Sequence, residues 1–211
     1  MRSSKELMEY AAVIPVLTIE DVKDAIPLAQ ALVDGGLNVL EITLRTEVAL
    51  DGIRQIRENV VGAVVGAGTV LNPNQADQVI DAGAEFIVTP GLSQNLLSHI
   101  QEKGMTVLPG VSTASEIMQG LEAGLDCFKF FPAEVSGGIP ALKSFLGPFS
   151  HVKFCPTGGI KEENLAKYLN LSNVLTVGGT WLVPSGLEGA EKWDEITRLA
   201  KSACAIAHAN N

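Results

Sequence analysis

An α/β architecture, built as a closed (βα)8 TIM barrel in one domain over residues 1–211, follows from three features of the chain. The first is a series of short apolar runs: "VIPVLT" (13–18), "VLEITL" (39–44), "AVVGAGTV" (63–70), "FIVTP" (86–90), "MTVLPGV" (105–111), "CFKFFP" (127–132), "KFCPTGG" (153–159) and "VLTVGGTW" (174–181). They are rich in β-branched or aromatic residues and bounded by Gly or Pro, as strands are. The second is the set of helical patterns between them, such as "VKDAIPLAQALVDGG", "NQADQVIDAGA", "SQNLLSHIQEKG" and "ASEIMQGLEAG". Each stops at or beside a glycine, the residue that ends helices in the left-handed conformation. The third is a join that nearly repeats, as "DGGLNVLEIT", "DAGAEFIVTP" and "EAGLDCFKFFP". Near-continuous hydrophobic strands alternating with helices imply a parallel sheet covered on both faces. Eight such units in this length give a compact barrel, slightly short of the usual size. A doubly wound open sheet is the competing arrangement, but "GAGTVL" (66–71) lacks the third glycine of its dinucleotide-binding signal.

Composition narrows the function. The chain is 46% hydrophobic, with 15 Lys and Arg against 24 Asp and Glu, a net charge of -9 and a mean hydropathy of +0.25. No basic stripe forms, which argues against nucleic acid as a partner. An anionic substrate must then be captured by local groups. The N-terminus lacks a signal-peptide layout and no run has the length to span a bilayer, so the expectation is a cytoplasmic protein with no membrane partner. Cys127, Cys155 and Cys204 have no CxxC spacing and read as reduced thiols. His99, His151 and His208 have no HxH or HxxxH spacing, so no metal is expected. No G-x-S-x-G nucleophile motif occurs.

In a barrel of this kind chemistry sits at the C-terminal ends of the strands. The polar residues there are Glu41, Thr43, Arg45, Thr69, Thr89, Ser112, Thr113, Lys129, Thr157 and Thr180. Strand alternation puts Glu41, Thr43 and Arg45 on one face. It also groups Lys129 with Cys127 and Phe131, leaving Phe128 and Phe130 toward the helices. Burial penalises the charged form of an amine, so a lysine inside an apolar pocket becomes a nucleophile toward ketones and can form a Schiff base. The competing reading is that Lys129 snorkels to solvent or pairs with Glu41 for structure alone. Glu41 is the one carboxylate placed at an inward-facing strand end, a general acid/base by elimination or else the salt-bridge partner of Arg45. Arg45 has the fork that holds a carboxylate through two hydrogen bonds. The pairs Gly158–Gly159 and Gly178–Gly179 follow the last two strands, where backbone N–H groups can cradle a phosphate with the Thr180 hydroxyl beside them.

These pieces together resemble the bacterial 2-keto-3-deoxy-6-phosphogluconate (KDPG) aldolases, which also act as 4-hydroxy-2-oxoglutarate (KHG) aldolases. The likeness runs from "VIPVL" to "GGTWLVP" and is most specific in "LEITLRT" (40–46), "VGAGTVLNP" (65–73), "FIVTPGL" (86–92), "LPGVSTASE" (108–116), "FKFFPAE" (128–134) and "FCPTGGI" (154–160). The resemblance implies a homotrimeric class I aldolase without cofactor, acting on a phosphorylated 2-keto acid. It implies that Lys129 forms the Schiff base with pyruvate and that Glu41 is the acid/base working through a water. Arg45, Thr69, Pro90, Phe131 and Thr157 would line the pyruvate and aldehyde parts of the pocket, and Gly158, Gly159, Gly178 and Gly179 would hold the phosphate. The chain departs from the family pattern at Thr180, where that pattern has serine; the hydroxyl survives, and the added methyl bears on phosphate fit. A phosphosugar epimerase or isomerase on the same barrel, with Glu41 as base and Lys129 only pairing with phosphate, is the alternative.

Overall fold

A computed structural model describes residues 2–184 and 189–209 of the chain. Helix α1 (Ser4–Tyr10) is followed by β1 (Ile14–Leu17), a 3₁₀ turn (Val22–Asp24) running into α2 (Ala25–Asp34), β2 (Val39–Thr43), α3 (Ala49–Asn59) and β3 (Val64–Gly68). Then come α4 (Pro73–Asp81), β4 (Phe86–Thr89), α5 (Gln94–Glu102), β5 (Thr106–Val111), α6 (Ala114–Glu122) and β6 (Cys127–Phe130). The order closes with α7 (Gly138–Phe145), β7 (Lys153–Pro156), α8 (Glu162–Leu169), β8 (Gly178–Gly179) and α9 (Gly189–His208). The expected glycine stops are present: Gly36, Gly83, Gly104 and Gly124 follow α2, α4, α5 and α6 with φ between 67° and 93°.

Every strand pairs in parallel with its sequence neighbour from β1 to β7, and β8 pairs with β1 through Ile14–Gly178 and Pro15–Gly179. Bridges Phe154–Val174 and Thr157–Gly178 join β7 to the eighth run and close the ring. The predicted barrel is therefore correct, with one difference at its end. The run 174–181 yields a strand of only two residues, and the glycine pair expected after it is the strand itself. Both positions require glycine: a Cβ on Gly178 would overlap the Thr157 hydroxyl, and one on Gly179 would overlap the Trp181 ring.

Two apolar clusters follow from strand alternation. One lies between sheet and helices, with Phe128, Phe130 and Phe154 facing out. There Phe130 meets Phe145 and Phe154 edge-on at centroid distances of 6.1 and 6.3 Å, which fixes the outer face of β6. The other fills the lower barrel with Ile14, Val39, Val64, Phe86, Val88, Leu108, Cys127 and Cys155. Helix α1 plugs this end. A Ser3–Glu6 capping box starts it, and its Leu7 and Met8 join the interior cluster. Burying each of those two side chains contributes about 2 kcal/mol. Among the described residues no helix is long and apolar enough to cross a membrane.

Candidate active site

The upper barrel is polar where the lower is apolar. Glu41 on β2 and Lys129 on β6 reach toward each other across the interior, and Lys129 Nζ donates to Glu41 Oε1 at 2.9 Å and to Oε2 at 3.2 Å. Their side chains are 4% and 7% exposed, so the pair is nearly withdrawn from water. Two charged groups persist at such a place only when bonded to each other. Glycines make the room. Gly66 leaves space for the Phe86 ring below, and a Cβ on Gly68 would overlap Glu41 Oε1 and lie 2.7 Å from its Cγ. Gly110 is the register partner of Lys129 on β5, and Cys155 is its partner on β7. Burial pushes the Cys155 thiol up to about 12, and that of Cys127 likewise, so both stay protonated and inert beneath the amine.

Gly68→Ala is therefore expected to displace the Glu41 carboxylate, cutting turnover by at least about tenfold while leaving the barrel folded. Steady-state rates beside a thermal melt check this; unchanged turnover in a folded variant would contradict the placement of Glu41.

Above the pair opens a cleft with about 480 Å³ of empty space, the solvent at its mouth included. All ten residues expected to contact substrate line it: Arg45, Thr69, Pro90, Phe131, Thr157, Gly158, Gly159, Gly178, Gly179 and Thr180. Lys129 lines it as well, its Nζ 5.3 Å from the centre of the Phe131 ring. Glu41 stands behind Lys129 and does not reach the cleft wall. Thr69 has φ 59°, a left-handed conformation that costs a β-branched residue about 1–3 kcal/mol. The bonds from Leu44 N to Gly68 O (2.9 Å) and Val70 N to Val88 O (3.4 Å) hold it there on either side. Gly158 and Gly159, at φ 101° and 81°, form a turn that only glycine adopts freely.

One alternative for Glu41 is corrected. The Glu41–Arg45 salt bridge does not form, because Glu41 points inward to Lys129; Arg45 is exposed at the cleft and has no ion pair among the described residues. The other polar strand ends serve the scaffold. Thr43 donates to Leu17 O at 2.9 Å and Thr89 to Gly91 O at 2.7 Å. Ser112 and Thr113 bind the Glu116 carboxylate that caps α6. Val16 and Ile160 line the cleft and were missed; both are apolar, and only the period-2 alternation through Ile14 and Val16 carried a signal for the first. Among the described residues no group of three or more His, Cys, Asp or Glu side chains could hold a metal ion.

Comparison with known proteins identifies the family. A model of the family described as KDPG and KHG aldolase matches residues 4–199, most of the chain. The chain belongs to this family. It is 50% identical over 201 residues to the KHG/KDPG aldolase of Escherichia coli K12, covering 95% of this chain and 94% of the relative. It is 53% identical over 209 residues to the 2-dehydro-3-deoxy-phosphogluconate aldolase of Zymomonas mobilis, covering 99% of each. A solved structure of the Legionella pneumophila KDPG aldolase, with pyruvate captured as a covalent carbinolamine intermediate, superposes with a TM-score of 0.92 at 44% identity, covering 96% of this chain and 98% of that one. In the Z. mobilis aldolase crystallised with 3-phosphoglycerate the score is 0.93 at 52% identity, covering 98% and 97%.

Proposed function

We propose that this chain is a class I aldolase that cleaves 2-keto-3-deoxy-6-phosphogluconate to pyruvate and glyceraldehyde 3-phosphate, and 4-hydroxy-2-oxoglutarate to pyruvate and glyoxylate. The observation that carries the reading is the buried Lys129–Glu41 pair, with the amine at the wall of the cleft and the carboxylate behind it. Relatives named for this activity over nearly the whole chain support it. Residues 1–211 act as one catalytic unit, in the homotrimer that the family likeness implies.

The short bond lets the Lys129 ammonium pass a proton to Glu41, leaving a neutral amine to attack the C2 ketone. Glu41 returns a proton to the carbinolamine hydroxyl as it leaves as water. The iminium then accepts the electron pair of the breaking C3–C4 bond, while the C4 hydroxyl proton passes to Glu41 through a water. Protonation of the enamine at C3 and addition of water release pyruvate and restore the amine. Arg45 and Thr69 hold the substrate carboxylate, Arg45 through its free guanidinium. Pro90, Phe131 and Thr157 shape the pocket around the pyruvate and aldehyde carbons. Gly158, Gly159, Gly178, Gly179 and the Thr180 hydroxyl receive the phosphate, which lets a chain of net charge -9 bind an anion.

Pyruvate release from the phosphorylated acid, from its C4 epimer and from 4-hydroxy-2-oxoglutarate tests the reading. The expected result is the highest kcat/KM on 2-keto-3-deoxy-6-phosphogluconate. Pyruvate from none of the three would overturn it, as would an epimerised phosphosugar.

A further inference from the structure

Outside the cleft, one side-chain pair has no role in the chemistry above and touches the loop expected to hold phosphate. Glu134, two residues after the segment's proline, extends over Gly159: a Cβ there would overlap Glu134 Cγ and lie 2.8 Å from its Cβ. The Glu134 side chain thus occupies the space that a side chain at 159 would fill. Its Oε1 accepts a hydrogen bond from the Tyr168 hydroxyl. Tyr168 is wholly buried, one of the largest buried side chains in the molecule, so the end of this contact on α8 cannot shift without disturbing the core. Burial and the adjoining carboxylate push the phenol upward, which keeps it a donor.

The backbone adds to the same contact. Ala133 N donates to Thr157 O at 2.8 Å and Glu134 N to Gly158 O at 3.1 Å, stitching the segment after β6 to the segment after β7. On the other side Asn164 Nδ2 donates to Gly159 O at 3.2 Å and its Oδ1 accepts from Lys161 N at 2.8 Å. Asn164 and Tyr168 are four residues apart and so share one face of α8. Two anchors on one helix thereby clamp a glycine turn whose left-handed φ values leave it few restraints of its own.

We infer that Glu134 and Tyr168 are positioning residues that set the Gly158–Gly159 turn, and through it the preference for phosphorylated over unphosphorylated 2-keto acids. The inference rests on the phosphate-binding reading of that turn. Backbone donors favour an anion strongly only when held within about 0.5 Å of the productive geometry. Because the stitched segment begins directly after β6, the clamp also fixes the distance from the turn to Lys129.

The test compares kcat/KM on 2-keto-3-deoxy-6-phosphogluconate and on 2-keto-3-deoxygluconate, which lacks the phosphate, for the unaltered protein, Tyr168→Phe, Glu134→Ala and Glu134→Gln. Tyr168→Phe conserves volume in the core, and Glu134 is exposed, so at least the Glu134 variants keep the fold. Tyr168→Phe and Glu134→Ala are expected to lower the preference for the phosphorylated acid about tenfold, chiefly through its KM. Glu134→Gln, whose amide oxygen still accepts from Tyr168, is expected to retain most of it. Equal losses on both substrates, or an unchanged ratio in Glu134→Ala, would overturn the inference while leaving the phosphate reading in place. An unaltered protein with no preference for phosphate would remove that reading and the inference with it.

Discussion

Lys129→Ala is expected to reduce turnover on the order of 10⁴-fold or more, because a covalent nucleophile has no substitute among its neighbours. Cys155, its register partner, is a buried thiol held protonated at neutral pH and cannot take over. Arg45 is exposed at the cleft, and a guanidinium is no nucleophile toward a ketone. The substitution also leaves Glu41, 3% exposed, without the ammonium that accounts for its presence in the barrel. Breaking a buried pair from one side destabilises by about 3–5 kcal/mol. A lower melting temperature should therefore accompany the loss of activity, and a circular dichroism spectrum would show whether the barrel persists. A folded Lys129→Ala protein with residual turnover within tenfold of the parent would exclude covalent catalysis at this residue.

Glu41→Gln separates proton transfer from packing. Glutamine has the same shape, and its amide oxygen can still accept the bond that Glu41 Oε1 takes from Lys129 at 2.9 Å. What disappears is the capacity to give and receive a proton. Turnover is expected to fall about 10²–10⁴-fold, with a smaller loss of pyruvate affinity, since the groups proposed to bind pyruvate are untouched. Steady-state kcat beside inhibition by pyruvate gives both numbers. Parent-like rates would take Glu41 out of the mechanism, and an equal loss in binding and turnover would recast it as a packing residue.

Much of this arrangement was legible before the fold was known, and the reason is the period of two along a strand. In "CFKFFP" it separates Lys129 and Phe131 from Phe128 and Phe130, and the structure places the first two at the cleft and the others against the helices. It likewise puts Glu41 inside. Alternation left the partner of Glu41 open between two candidates, Arg45 four residues on and Lys129 across the barrel. Lys129, 88 residues away, meets Glu41 once the sheet closes. Hydroxyls were harder to rank. Thr43, Thr89, Ser112 and Thr113 sit at strand ends as Thr69 and Thr157 do, and their hydroxyls bond to local backbone or cap acceptors. The Thr157 hydroxyl does so too, toward Cys155 O at 3.4 Å, yet it lines the cleft. The plug formed by α1 left no mark, because seven residues carry too little periodicity to reveal which face is buried.

Central to the account is that Lys129 forms the covalent bond. Incubating the protein with pyruvate and borohydride, then mapping the modified peptide by mass spectrometry, tests this most directly. The account predicts one reduced pyruvate adduct per chain, on Lys129 within "CFKFFPAE", absent when either reagent is omitted. An unmodified Lys129, or an adduct carried by another lysine, would contradict it.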